Sequence, residues 1–181
     1  MNAFEQLVAT TLERKGYWVR TDFKVNLSKE EKKAIGRPSS PRWELDIVAY
    51  KPAENEVLVV ECKSYLDSRG VQFSSFDGSD KKSARRYKLF IEERLREIVL
   101  DRLVVQLEAD GLCRPAPTVR LCLVAGRIAT EQDRLKLAKK FDDARWQLWD
   151  DTWIRGTLTE IANLGYEDDV SAVVAKILLR K

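Results

Sequence analysis

Residues 44–63 read ELDIVAYKPAENEVLVVECK, a pattern typical of a β-hairpin. The stretch contains two apolar runs of strand length, whose interiors are interrupted by Asp46, Glu61 and Lys63. An ionised side chain in an apolar strand lowers stability unless it is paired with an opposite charge or holds a metal ion. The three charges therefore indicate a functional site.

The polar residues 52–55 separate the two runs and read PAEN, a composition typical of a hairpin connection. If Lys51 faces Glu56 across this turn, the pairing that follows places Asp46 directly opposite Glu61. Directly opposed side chains have Cβ atoms about 4.5 to 5.5 Å apart and lie on one face of the sheet. The hairpin is therefore predicted to bring two carboxylates together.

The end of the second run adds an amine to this pair of acids. Side chains alternate along a strand, so Lys63 shares the face of Glu61 while Cys62 points away. Two adjacent carboxylates repel each other, which favours either a raised pKa or a bound cation. Oxygen ligands suit Mg²⁺, which lies about 2.0 to 2.1 Å from its ligands and keeps several waters for a substrate phosphate. The predicted site suits phosphate chemistry.

The order of these residues resembles the signature of a known nuclease superfamily. Asp46, followed after fourteen residues by Glu61, Cys62 and Lys63, resembles the Asp-spacer-(Asp/Glu)-X-Lys motif of the PD-(D/E)XK superfamily. Members of that superfamily have the restriction-endonuclease-like fold. Leu45 stands where the motif often has proline.

The amino-terminal segment resembles the opening helix and first strand of the same superfamily. The helix would contain Leu12 and residues 4–8, which read FEQLV, and the strand would begin within residues 16–19, which read GYWV. In many members an acid of the first helix helps to organise the metal site, and Glu5 occupies that place. The resemblance covers residues 1 to about 125.

The resemblance implies Mg²⁺-dependent hydrolysis of phosphodiester bonds in nucleic acid, by an endonuclease that acts on DNA and accepts Mn²⁺ in place of Mg²⁺. The implied metal ligands are Asp46, Glu61, the backbone carbonyl of Cys62 and Glu5. Lys63 would orient or deprotonate the attacking water and stabilise the developing negative charge. A protein with one such site that cuts both strands would act as a homodimer.

Ordinary structural roles would account for the same residues. Asp46 and Glu61 would then be charges at strand ends, with Lys63 paired to one of them across the hairpin. A glutamate such as Glu5 stabilises the first turn of a helix through the helix dipole whatever else it does. The alternative function is a non-catalytic module that keeps the restriction-endonuclease-like fold and binds DNA or a protein.

Composition sets limits on the class of protein. A chain of 181 residues that is 44% hydrophobic is long enough to bury about 70% of its unfolded surface, and we expect one domain over residues 1–181. The net charge of +3 means that nucleic-acid affinity must come from local patches. No run of about 18 apolar residues and no secretory signal is present, which predicts a cytoplasmic protein without a membrane span.

The sequence contains no histidine, which excludes histidine-metal nucleases, Ser-His-Asp and Cys-His hydrolases, and a histidine general base. Its three cysteines are Cys62, Cys113 and Cys122, and none has the paired spacing of a zinc knuckle or a disulfide framework. We expect Cys62 and Cys122 to be buried strand residues. Carboxylates, lysine and a metal ion remain as the candidate chemistry.

Hydrophobic periodicity gives the remaining elements. It predicts helices over residues 2–15, 81–108, 131–143, 152–163 and 168–179, a short helix capped by Ser28, and strands over residues 17–25, 119–125 and 146–149. This order predicts a three-layer α/β fold, in which helices flank a central mixed sheet. The sheet would be antiparallel in its hairpin and parallel after the long helical crossover.

The best candidate for phosphate contact is a basic cluster at the start of the predicted helix 81–108. Its members are Lys81, Lys82, Arg85, Arg86 and Lys88, with no acid among them. Cations near a helix amino terminus oppose the helix dipole, and phosphate binding would offset that cost. A solvated basic helix face would have the same sequence, so both interpretations stay open.

Overall fold

A mixed sheet forms the centre of the computed structural model, which describes residues 2–39, 42–165 and 168–179. The described residues form five strands, which are β1 (Trp18–Val25), β2 (Trp43–Lys51), β3 (Glu56–Lys63), β4 (Thr118–Ala125) and β5 (Gln147–Trp149). The strands lie side by side in chain order. β1, β2 and β3 pair antiparallel, whereas β3, β4 and β5 pair parallel. The predicted mixed sheet is confirmed.

The β2–β3 hairpin has the predicted register. Lys51 pairs with Glu56 across the turn, and the ladder continues through Ile47 paired with Val60. The middle of β3, residues 57–60, reads VLVV and is fully buried, as suits a strand that is covered on both faces. The ladder ends one pair before Asp46 and Glu61, so the predicted direct opposition of these two residues is not part of the observed register.

Helices connect and flank the strands. The helices of the described residues are α1 (Ala3–Arg14), α2 (Lys29–Ala34), α3 (Lys81–Ala84), α4 (Lys88–Ile91), α5 (Glu93–Ala109), α6 (Glu131–Asp143), α7 (Asp151–Ala162) and α8 (Val170–Leu179). The predicted short helix is present as α2, where Ser28 and Glu31 form a reciprocal capping box. In the part of the chain that the structure describes, no helix is long and apolar enough to cross a membrane.

Two hydrophobic cores cover the two faces of the sheet. On one face, α1 places Val8 and Leu12 against strand residues that include Ile47. On the other face, α4, α5 and α6 pack on residues such as Val59 and Leu123. These two layers of helices around the sheet agree with the predicted α/β class. Cys62 and Cys122 are buried and carry free thiols, as expected.

The prediction of one long helix over residues 81–108 is wrong, because the chain leaves helical geometry at Tyr87 and again at Glu92. Tyr87, Leu89 and Phe90 are all buried in the same core. Residues two apart lie on nearly opposite sides of a helix, so one straight helix would expose Tyr87 or Leu89. Breaking the helix buries them all, and Arg96 donates hydrogen bonds to the carbonyl oxygens of Leu89 and Phe90.

Candidate active site

β2 changes its facing at Asp46. Ile47 packs in the core on the α1 side, and strict alternation would put Leu45 beside it, yet Leu45 packs in the core on the α5 side. The neighbouring strand, β1, changes its facing at the same level, where Asp22 has a left-handed backbone with φ of 51°. The β1–β2 register is the same before and after this level. The reversal therefore sets Asp46 apart from both cores without a slip in strand pairing.

The Asp46 carboxylate replaces a backbone partner of β3. The β2–β3 ladder ends where Ile47 pairs with Val60. Beyond it, the backbone N–H of Cys62 donates a 2.7 Å hydrogen bond to Oδ2 of Asp46. A hydrogen bond from a backbone N–H to a charged oxygen is stronger than a neutral one. It fixes the orientation of the Asp46 carboxylate and leaves Oδ1 available to a ligand.

Lys63 brings the two predicted acids into one cluster. Its Nζ lies 3.3 Å from Oε2 of Glu61 and 3.9 Å from Oδ2 of Asp46. The three side chains are mostly shielded from solvent, with exposed fractions of 18% for Lys63, 15% for Glu61 and 27% for Asp46. The structure therefore places the predicted aspartate, glutamate and lysine together at the carboxyl end of β3.

Cys62 contributes its backbone to the site and its side chain to the core. The thiol is buried among the residues that face α1, and burial raises the pKa of that thiol. The backbone N–H faces Asp46, and in a strand the carbonyl of a residue points to the same side as its N–H. The next residue, Lys63, instead accepts a hydrogen bond from Gly126, which follows β4. Backbone groups alternate in direction along a strand, so the Cys62 carbonyl points toward β2 and Asp46. This is the direction that the predicted role of the carbonyl as a metal ligand requires.

Glu5 lies in the first turn of α1 and completes a capping box with Asn2. Its Oε2 accepts a hydrogen bond from the Asn2 backbone at 2.9 Å, and its Oε1 accepts one from the Asn2 side chain at 2.6 Å. The negative charge of Glu5 also contributes to the raised pKa of Glu61. Glu5 thus has a structural role at the helix start and an electrostatic influence on the site.

The cluster contains two carboxylates and one amine, so its negative charges outnumber its positive charge. Burial raises the pKa of Glu61 to about 7, against the opposing effect of Lys63 and with a further upward contribution from Asp46. Burial lowers the pKa of Lys63, but the two carboxylates outweigh this effect and the net pKa is raised. Lys63 is therefore protonated at neutral pH. A second cation near the acids would lower the pKa of Glu61 toward its ordinary range.

The donor set is compatible with a hard cation. Among the residues that the structure describes, no three His, Cys, Asp or Glu side chains form a group that could hold a metal ion. The cluster offers a smaller set, which consists of two carboxylates and the backbone carbonyl of Cys62. Oxygen donors of this kind suit Mg²⁺, which keeps several waters and is often bound by only one or two carboxylates.

The basic cluster lies in and between the two short helices α3 and α4. Lys81, Lys82, Arg85 and Arg86 are exposed, and Lys88 is half-buried. Asp80 caps the amino terminus of α3, and its side chain accepts hydrogen bonds from the backbone N–H groups of Lys82 and Ser83. The cluster does not lie at the start of one helix over residues 81–108, as predicted, because the chain turns between α3 and α4. The cluster remains solvent-facing, as phosphate contact requires.

Tyr65 was not among the residues predicted for the site. Its hydroxyl accepts a 3.3 Å hydrogen bond from Nη1 of Arg86 and a 3.4 Å hydrogen bond from the hydroxyl of Tyr87. These contacts connect the basic cluster to the segment that directly follows Lys63. The one available sequence signal is an aromatic residue two positions after that lysine.

Comparison with known proteins gives no relative from which a role could be transferred. No family model matches the chain, no curated protein matches it, and no solved structure matches its fold.

Proposed function

We propose that this protein is a Mg²⁺-dependent nuclease with the restriction-endonuclease-like fold, an endonuclease that hydrolyses phosphodiester bonds in DNA. The observation that carries the proposal is the position of Lys63, whose Nζ lies within 4 Å of both Asp46 and Glu61. The order and spacing of Asp46, Glu61 and Lys63 resemble the PD-(D/E)XK motif. A shielded pair of acids with one adjacent amine is the constellation that such an enzyme needs.

The fold supports the same proposal. An opening helix precedes three antiparallel strands, and a helical crossover then leads to a parallel strand on the far side of β3. This order agrees with the mixed α/β layout that the sequence periodicity predicts, and its opening helix and first strand are the elements on which the resemblance to the superfamily rests. It presents the motif at the carboxyl end of a central strand, next to the loops that a ligand would meet.

Asp46, Glu61 and the Cys62 carbonyl would hold Mg²⁺, with Mn²⁺ as a substitute and with Glu5 acting directly or through water. When bound, the ion would supply a more acidic water and a counter-charge for the scissile phosphate. The hydrogen bond from the Cys62 N–H holds the Asp46 carboxylate in one orientation before any ligand arrives. Such preorganisation reduces the rearrangement that binding would require.

Lys63 acts as a cation in this proposal. Its raised pKa keeps the amine protonated at neutral pH, so it is unsuited to removing a proton from water. A protonated amine donates hydrogen bonds, orients the attacking water and stabilises negative charge that develops on the phosphate. Of the two roles expected from the motif, the electrostatics favour orientation and charge stabilisation.

The basic cluster would hold the DNA backbone beside these acids. Arg86 reaches Tyr65, which follows the motif lysine by two residues, and Lys81, Lys82 and Arg85 are exposed in the same short stretch. Phosphate contacts of this kind supply affinity and position without reading the base sequence. They would deliver a phosphodiester to the acids, whatever the sequence of the substrate.

A non-catalytic module that binds DNA or a protein is the second candidate. The observation that favours it is the pairing of Lys63 with both acids, which compensates their charge without a metal ion. A binding module has no need of a divalent ion at these residues. Metal dependence therefore separates the two candidates.

The direct test is a cutting assay with purified protein and supercoiled plasmid DNA. We expect Mg²⁺ or Mn²⁺ to support nicking or cutting, and a chelator to stop it. Asp46→Ala and Lys63→Ala should abolish the activity, whereas Lys51→Ala, a change at the turn end of the same hairpin, should retain it. Equal cutting by the Asp46 variant and the parent would identify a contaminant and contradict the proposal.

A further inference from the structure

Tyr65 has an unusual backbone for an aromatic residue. Its φ is 43°, in the left-handed region that residues with a Cβ seldom adopt. Strained positions of this kind persist only where the surrounding structure holds them, and they cluster at functional sites. Tyr65 follows Lys63, the last residue of β3, by two positions. The strained residue therefore lies just beyond the strand that carries the proposed site.

The hydroxyl of Tyr65 accepts two hydrogen bonds. One comes from Nη1 of Arg86 at 3.3 Å and the other from the hydroxyl of Tyr87 at 3.4 Å. A phenol oxygen has two acceptor positions and one proton of its own. With both acceptor positions used, the proton of Tyr65 is the group that remains to be donated. A donor that is fixed by two neighbours is ready to meet an acceptor supplied by a ligand.

Charge strengthens this donor. Partial burial raises the pKa of Tyr65, but the hydrogen bonds from Tyr87 and Arg86 outweigh it, and the net pKa is lowered. Lys63 lowers it further through its positive charge. A more acidic hydroxyl is a stronger hydrogen-bond donor to an anionic oxygen.

Tyr87 fixes the geometry from within the core. Tyr87 is only 2% exposed, and the centroid of its ring lies 4.5 Å from the centroid of the Phe76 ring. The break in the helix between Ala84 and Lys88 is what turns Tyr87 inward and leaves Arg86 at the surface. The hydroxyl of Tyr65 is thus held on one side by a buried group and on the other by a cation.

We infer that the Tyr65 hydroxyl donates a hydrogen bond to a non-bridging oxygen of the scissile phosphate, with Arg86 and Tyr87 as its positioning residues. This inference rests on the proposed nuclease function and adds a catalytic residue to it. Lys63 and Tyr65 then supply donors to the reacting phosphate from nearby positions at the end of β3. The chemical class that this pair fits is a phosphodiester anion.

The test compares Tyr65→Phe with the parent in two measurements on one labelled DNA oligonucleotide that the parent cuts. Single-turnover cutting in Mg²⁺ should slow by at least about tenfold, because one preorganised donor is removed. Binding in Ca²⁺ should change by less than about threefold, because the hydroxyl acts on charge that develops during the reaction. Tyr87→Phe should give a smaller loss of rate, since Tyr65 keeps its proton but has one positioning partner fewer.

Tyr17→Phe is the matched control. It removes a phenolic hydroxyl that is bonded to Glu56, at the opposite end of β3, and should cut at the parental rate. Parental cutting by Tyr65→Phe would overturn the inference and leave the nuclease function intact. Equal losses in cutting and binding would also overturn it, since they would indicate a role in binding alone. A parent that cuts no DNA in Mg²⁺ or Mn²⁺ would contradict the nuclease function itself, and the inference with it.

Discussion

The backbone N–H of Cys62 donates a 2.7 Å hydrogen bond to Oδ2 of Asp46. The backbone ladder between β2 and β3 ends where Ile47 pairs with Val60. Just beyond it, the Asp46 side chain takes the place of a backbone carbonyl as the acceptor for β3. This hydrogen bond makes the position of the Asp46 carboxylate a property of strand register. A change in that register would separate Asp46 from Glu61 and Lys63 at once.

Asparagine at position 46 separates the structural role of this residue from its charge. Asp46→Asn keeps an oxygen that can accept from Cys62, so we expect its free energy of unfolding to stay within about 1 kcal/mol of the parent value. Asp46→Ala leaves a shielded N–H without its acceptor and should cost about 1 to 3 kcal/mol. Urea denaturation measures both effects. Both variants should fail to cut DNA, and normal cutting by Asp46→Asn would contradict a metal-binding role.

Glu61 should make stability depend on pH. Its pKa is about 7 in the folded protein, compared with 4.5 for an unperturbed glutamate. Below 4.5 the group is protonated in both states; as the pH rises to 7, the unfolded state ionises first and stability is lost. The loss is on the order of 3 kcal/mol and is complete above pH 7.

Glu61→Gln removes this ionisation and provides the measurement. The free energy of unfolding of Glu61→Gln minus that of the parent should increase from pH 4.5 to pH 7 and then level off, in the absence of divalent ions. Adding Mg²⁺ at pH 8 should raise the melting temperature of the parent more than that of Glu61→Gln. A difference that is constant across pH would show that Glu61 has an ordinary pKa.

Lys63 should stabilise the apo protein because it compensates two shielded acids. We expect Lys63→Met to lower the free energy of unfolding by about 2 to 3 kcal/mol at pH 8, since breaking a buried ion pair leaves an uncompensated charge. The loss should be smaller at pH 5, where Glu61 takes up a proton. Lys51→Met is the control, since its partner Glu54 is largely exposed, and should change stability by less than about 1 kcal/mol. Equal effects of the two changes would contradict the account.

The basic cluster should contribute affinity and salt dependence without sequence preference. Lys81→Ala combined with Arg85→Ala should weaken DNA binding and reduce the slope of log affinity against log salt by about 0.9 for each phosphate that these side chains neutralise in the parent. Fluorescence anisotropy at several salt concentrations measures both quantities. Lys29→Ala combined with Lys33→Ala on α2 is the matched control. An unchanged slope in the first variant would assign these cations to a solvated surface.

The sequence was sufficient for the hairpin and its three charges. Two apolar runs and a four-residue turn allow one register that buries both faces, and this register brings Asp46 to the end of the ladder, where its carboxylate accepts a hydrogen bond from the Cys62 N–H. The facing change at Asp46 was not predictable, because it depends on the left-handed backbone of Asp22 in the adjacent strand. Strand pairing determines which residues lie opposite each other, and the sequence predicts that pairing. The change in the facing of β2 depends instead on tertiary packing.

Other features depend on contacts between distant residues. The stretch that contains Tyr87 and Glu92 has strong helix formers and no glycine or proline, so its sequence favours one helix. The buried rings of Phe76 and Phe141 pack against the rings of that stretch and override this preference. The Tyr65 contact to Arg86 joins side chains 21 residues apart, and no local pattern indicates it.

Anomalous diffraction from crystals soaked in Mn²⁺ would locate a bound ion without an activity assay. We expect one or two Mn²⁺ peaks in contact with carboxylate oxygens of Asp46 and Glu61 and with the backbone carbonyl of Cys62, and we expect these peaks to be absent from Asp46→Asn crystals. Soaked crystals in which the Asp46 and Glu61 carboxylates remain paired with Lys63, with no manganese beside them, would show that these residues do not form a metal site.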